Sequence, residues 1–238
     1  MLERLNIEKI LFLDIETVPA FPSYSDMPEE TRIFWDKKAD TLKKTEDAPE
    51  ITYHRAGIYA EFGKIICISV GIIKNKAGKS TIRIKSFSGH DEKQVLIDFL
   101  ELLNKKLKSP ELLFCAHNGK EFDFPYLSRR ILINGLKLPE PLKTNGKKPW
   151  EIPHLDTLDL WRFGDYKNYS SLELLAFVFN IPSPKDDIKG SDIWSVYWQE
   201  KDLDRIVTYC QKDVLTVAQL LNSYLGKPLI EESAVSIA

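Results

Sequence analysis

Residues 9–17 read Lys-Ile-Leu-Phe-Leu-Asp-Ile-Glu-Thr. Four apolar side chains in a row, Ile10 to Leu13, mark a strand buried in a core, and the strand runs into acid at Asp14 and Glu16. Strand side chains alternate, so Phe12, Asp14 and Glu16 share one face while Leu11 and Leu13 take the other. Two carboxylates side by side repel each other, and burying them is costly without a cation. Taken alone, Asp-x-Glu is more often a solvated strand end.

The flanking sequence supplies the rest of a sheet. Segments 64–74 and 80–87 read as strands, with residues 75–79, including Gly78, as a hairpin turn between them. Apolar residues at helical spacing predict a helix over 91–108, stopped by Pro110. Residues 111–116 read as a fourth strand. Residues 125–134 read as a helix with Pro125 in its first turn and Gly135 after it. Residues 137–150 form a loop, 171–180 a helix entered through Ser171, and 201–225 the last and longest helix. Three strands, a helix, a strand, then mostly helices imply an α/β domain with helices packed on a mixed sheet. We read residues 1–238 as one domain with its core over about 9–225. A polar insertion over about 19–62 carries one helix near 28–44, and the tail beyond Pro228 is expected to be loosely held.

Composition narrows the classes. The chain is 43% hydrophobic and 29% charged, which supports a real core and excludes a disordered chain. Its net charge of −2 gives no reason by itself to expect a nucleic-acid partner. Cys67, Cys115 and Cys210 fit neither a zinc spacing nor a disulfide framework, which points to reduced thiols in a cytoplasmic protein. The N-terminal ten residues do not have the pattern of a secretory signal. The longest apolar run, Ile65 to Ile73, is far short of the ~20 residues a membrane span needs.

Two further acidic sites matter. Residues 117–123 (HNGKEFD) follow the fourth strand and end in Asp123, which can be read as a plain helix cap. On the last helix, Tyr209 and Asp213 lie four apart on one rim of an apolar stripe made by residues 203, 206, 207, 210, 214, 217 and 221. Each is weak alone. Together they put four carboxylates near the ends of core elements. Oxygen-only ligands suit Mg²⁺ or Mn²⁺, and two such ions about 3.5–4 Å apart form the clamp used in phosphoryl transfer.

The segments FLDIET (12–17), AHNGKEFDFPYL (116–127) and YCQKDVLTVAQL (209–220) resemble the three motifs of the DEDD, or DnaQ-like, 3′–5′ exonuclease superfamily. The Tyr209–Asp213 spacing resembles its tyrosine (DEDDy) subgroup. Together with Lys189-Gly190-Ser191-Asp192-Ile193, the segments look most like a free-standing exonuclease domain of family B DNA polymerases, over about 9–225. The resemblance implies an RNase H-like fold and two divalent cations, Mg²⁺ or Mn²⁺. It implies a two-metal hydrolase acting at the 3′ ends of single-stranded DNA and releasing nucleoside 5′-monophosphates. By motif, Asp14, Glu16 and Asp213 would bind the catalytic metal, and Asp14 would bridge to the second. Asp123 would hold ions directly or through water, and Tyr209 would position the attacking water. Thr17 and Asn118 would contact the terminal nucleotide.

His154 and Asp159 mimic the histidine subgroup's spacing, but they precede the long final helix; we read His154 as non-catalytic and Asp156 as a structural acid. The segment from Arg129 to Lys148 carries a local charge of +5. Arg129 and Arg130 are therefore candidate phosphate contacts, against the plainer reading of a solvated segment. Of the aromatic residues, Phe122, Phe124, Tyr126, Trp150, Trp161 and Tyr166 can stack bases, though a core role suits most of them better. The same chemistry on RNA, or an inert nucleic-acid-binding module, are the alternatives. The full set of acids favours catalysis, and the family B likeness favours DNA. A separate polymerase or repair protein is a compatible partner.

Overall fold

The computed structural model describes residues 5–42, 48–76, 79–105, 111–167, 169–182 and 188–238. Strands β1 (Ile10–Pro19), β2 (Gly63–Lys76), β3 (Lys79–Ser88), β4 (Leu113–Ala116), β5 (Leu155–Asp156) and β6 (Val235–Ile237) form one sheet in the order β5-β4-β1-β2-β3-β6. β2 runs antiparallel to both β1 and β3, and the other pairings are parallel. This is the mixed, RNase H-like sheet expected. The helices are α1 (Glu29–Leu42), α2 (Pro49–Thr52), α3 (Glu92–Lys105), α4 (Asp123–Ile133), α5 (Thr157–Arg162), α6 (Leu172–Val178), α7 (Ile193–Ser195) and α8 (Leu203–Tyr224). The expected turn at Gly78 and the helix stop at Pro110 lie outside the described residues.

The alternation along β1 splits the core in two. Leu11, Leu13 and Ile15 pack with α3 and α4 against residues such as Phe99, Phe114 and Leu127. Ile10 and Phe12 point the other way, onto Val214, Val217 and Leu221 of α8. Each such side chain, fully buried, contributes roughly 1.5–3 kcal/mol. Gly71 on β2 sets the depth of α8: a Cβ there would lie 2.8 Å from Val214 Cγ1. The same strand face that is apolar under the C-terminal half of α8 turns acidic under its N-terminal half.

The tail is a correction. It is not loose: Gln219 on α8 accepts from the Ile230 amide and donates to the Ile230 carbonyl, both at 2.8 Å. Beyond it β6 pairs with β3. Three residues are too few to show a strand period in sequence. The insertion is polar in composition, yet it builds its own aromatic core of Met27, Trp35 and Tyr53 with Phe21, Tyr24 and Phe62 packed round it.

Arg130 is a second correction. It does not offer its guanidinium to solvent. It grips buried Glu92 through Nε (2.8 Å) and Nη2, and donates through Nη1 to the Ala60 carbonyl at 2.8 Å. Glu92 also accepts from the Ile65 amide at 2.7 Å and from Asn134 at 2.9 Å. The clamp ties α3, α4, β2 and the end of the insertion together. Glu92→Ala would strand a buried cation, so urea unfolding should show a loss of about 3–5 kcal/mol.

Candidate active site

The acids gather where the three motifs meet. Asp14 and Glu16 stand on the α8 face of β1, directly opposite Ser69 and Cys67 of β2. A register shift follows between Glu16 and Thr17, ending the regular ladder at the acid pair. α8 crosses above and brings Tyr209, Cys210 and Asp213. The Cys210 thiol donates to the Asp14 carbonyl at 3.5 Å. Asp123 arrives from the first turn of α4. It is not the helix cap; that position is Phe122. Its Oδ1 instead accepts from the Ile15 amide of β1 at 3.3 Å, which ties the second motif to the first.

Burial and mutual repulsion shape the electrostatics. Burial raises Asp14 well above the ordinary carboxylate range, and the charges of Glu16, Asp213 and Asp123 raise it further. Glu16 is likewise raised, first by burial and then by Asp213. Burial pushes Asp123 up to about 7. Asp14 Oδ2 is buried with no hydrogen-bond partner among the described residues. Desolvated, like-charged oxygens with an orphaned lone pair fit a divalent cation. Burial first, and then the charges of Asp213, Glu16 and Asp14, raise the Tyr209 phenol far above its usual value. It stays protonated at neutral pH and cannot serve as a base.

Thr17 is half-buried beside Tyr126, whose hydroxyl donates to the Gly57 carbonyl at 2.8 Å. Asn118 takes a left-handed conformation (φ 61°), and its Oδ1 is buried without a hydrogen-bond partner among the described residues. Asp156 holds that loop: it accepts from the amides of Asn118 (2.9 Å), Lys120 (3.0 Å) and Leu158 (2.9 Å). This is the structural role expected of it. His154 is buried away from the acids, accepting from the Phe114 amide and donating to the Pro141 carbonyl. Burial drives its pKa down to about 4, so it is neutral and structural. Arg129 is exposed on α4. Phe124 and Tyr126 are core residues, whereas Trp150 and Tyr166 are exposed.

A cleft of about 740 Å³ opens at Asp14, Tyr209 and Asp213 and continues past His117, Tyr169, Phe177 and Lys189. The motifs do not single out Tyr169 or Phe177. His117 fixes this wall, its ring nitrogens meeting Thr157 Oγ1 and the Ser170 carbonyl, each at 2.9 Å. Phe177 is 80% exposed on α6, an unusual position for a phenylalanine on a helix that packs elsewhere on the core. That exposure is a tertiary fact with no counterpart in helical spacing. Among the described residues, no helix is long and apolar enough to cross a membrane.

A mixed sheet with helices on both faces, with acids from its central strand and from α4 and α8, defines an α/β domain with a candidate polar reaction centre. A family model described as a predicted 3′–5′ exonuclease related to the exonuclease domain of PolB matches residues 58–225, and the chain belongs to that family. The matched stretch includes Asp123, Tyr209 and Asp213 and begins after Asp14 and Glu16. The chain is 23% identical over 246 residues to a DNA polymerase of Pyrococcus glycovorans, covering 89% of this chain and 30% of that protein. It is also similar to the solved family B DNA polymerase of the hyperthermophilic archaeon Pyrobaculum calidifontis, at 17% identity and a TM-score of 0.48, over 89% of this chain and 24% of that one. The chain therefore spans less than a third of the length of either relative.

Proposed function

We propose that the protein is a divalent-metal-dependent 3′–5′ exonuclease of the tyrosine subgroup. It hydrolyses the terminal phosphodiester of single-stranded DNA and releases nucleoside 5′-monophosphates. The observation that carries this reading is the set Asp14, Glu16, Asp123 and Asp213, of which Glu16 and Asp123 are buried and Asp14 and Asp213 line the cleft, mutually repelling around an unpartnered Asp14 oxygen. Asp14, Glu16 and Asp213 would hold the ions, with Asp123 completing the shell. Bound there, Mg²⁺ or Mn²⁺ supplies Lewis acidity toward water and the scissile phosphate. Tyr209 keeps its proton and would orient the attacking water through its hydroxyl oxygen. Thr17, next to Glu16 in sequence, and Asn118 would contact the terminal nucleotide, and Arg129 remains a candidate backbone contact. A separate polymerase or repair protein would be the natural source of such ends.

The test is digestion of matched 3′-labelled DNA and RNA strands with Mg²⁺ or Mn²⁺. Mononucleotides should appear from DNA, and more slowly from RNA. Much faster RNA cleavage would reassign the substrate. No cleavage, together with no Mn²⁺ binding at millimolar concentration, would leave an inert module.

A further inference from the structure

The cluster is not made of oxygen alone. Cys210 Sγ and one carboxylate oxygen from each of Asp14 and Glu16 all lie within 4.8 Å of one another. Cys67 is the cross-strand partner of Glu16, so both side chains rise from the same face of the sheet beneath α8. Burial and the neighbouring Cys67 raise the Cys210 thiol well above its usual value, while Cys67 is lowered by its neighbour Cys210 and by Ser69, so the two thiols are close enough to influence each other. None of the three cysteines is in a disulfide, and all are buried. The exonuclease reading uses neither Cys67 nor Cys210.

We propose that Cys210, backed by Cys67, makes this centre a capture site for thiophilic divalent ions, Zn²⁺ above all, in competition with the hard ions of catalysis. Zn²⁺ takes four tetrahedral ligands at about 2.3 Å for sulfur and about 2.0–2.2 Å for carboxylate oxygen. That geometry sets its ligand atoms about 3.3–3.7 Å apart, so a group already within 4.8 Å needs only rotamer-scale closure. Asp14 Oδ2, buried and without a hydrogen-bond partner, is free to turn toward such an ion. As each Zn–S bond forms, the thiol proton passes to solvent and the metal remains Zn²⁺. Mg²⁺ does not accept this arrangement, because it demands oxygen ligands in near-ideal octahedral geometry. Sulfur thus separates two classes of ion that share the same two acids. The ion reaches the thiols through the cleft, since Asp14 lines it while both cysteines lie beneath. The blocking effect on hydrolysis rests on the exonuclease reading; the capture itself does not.

The experiment uses the full chain, Co²⁺ as a spectroscopic stand-in for Zn²⁺, and the variants Cys210→Ser, Cys210→Ala and Cys67→Ser. Wild type should develop a thiolate-to-cobalt charge-transfer band in the near ultraviolet. The band should vanish in both Cys210 variants and weaken in Cys67→Ser. Zn²⁺ affinity, read by competition with a chromophoric chelator, should fall at least about tenfold in Cys210→Ser. Mn²⁺ affinity should stay within about twofold, which also reports an intact acid set. A cobalt spectrum without a sulfur band, or one unchanged in Cys210→Ala, overturns the proposal and leaves the thiols as core packing. Absence of nucleotide release by wild type with Mg²⁺ would sink the exonuclease reading without altering the cobalt result.

Discussion

Asp213→Ala should reduce mononucleotide release by about 10³-fold or more, because it removes a ligand from a centre expected to provide several kcal/mol of charge stabilisation. Asp213 lies one helical turn from Tyr209 and its charge acts on that phenol, so the same change also alters the group that would position the water. On the exonuclease reading the loss should fall on kcat, because a metal ligand would act at the reacting phosphate rather than on the rest of a bound strand. Asp213→Asn keeps the shape and most of the hydrogen bonding but not the charge, and it should be nearly as inactive. A steady-state assay on a 3′-labelled strand decides the matter. Turnover within tenfold of wild type in either folded variant would remove Asp213 from the centre.

The second large effect is on stability. Metal-free protein should become more stable as pH falls from about 7.5 toward 5, the reverse of what paired carboxylates give. The sign follows from proton counts. Asp123 is pushed up to about 7 in the folded chain from an ordinary 3.8, so between those values the native state holds a proton that the unfolded state has released. Stability is then fully present below the unfolded value and is lost as pH rises through about 7. Asp14 and Glu16 are raised too and act in the same direction. At 1.36 kcal/mol per pKa unit, the cost of the ionised cluster at neutral pH is on the order of a few kcal/mol. Divalent ions should offset it, so Mn²⁺ should raise Tm far more at pH 7.5 than at pH 5.5. Asp14→Asn should stabilise the chelator-treated protein at pH 7.5 while abolishing the Mn²⁺ response. Thermal unfolding with chelator or Mn²⁺ across that range tests both. A metal-free Tm that rises with pH would refute the linkage.

What the sequence revealed, and what it hid, follows from the range of the interactions. β1 was legible because four apolar residues ending in acid are a local pattern. The buried stripe of α8 was legible because 206, 210, 214, 217 and 221 repeat at helical spacing. The acids were legible through residue type and order. Arg130 was misread because local charge counting sees the excess of cations in 129–148 but not Glu92, which lies 38 positions upstream and folds against it. Asp123 looked like a cap because its true acceptor role, toward the Ile15 amide, spans 108 positions. The aromatic core of the insertion was hidden for the same reason: Trp35 meets Tyr53 and Phe62 across an irregular chain with no period to detect.

The ordered tail has one more consequence. β3 is a ten-residue strand at the side of the sheet, and one of its edges would otherwise stand open along its length. An open strand edge is a row of unused amide donors and acceptors, which is a template for another molecule's strand. β6 occupies that edge at Ile82, Arg83 and Ile84, and Ala238 adds a further bond from its amide to the Ile84 carbonyl at 2.9 Å. A three-residue strand, anchored through Gln219, thus covers the middle of that edge and leaves a much shorter edge of its own in its place.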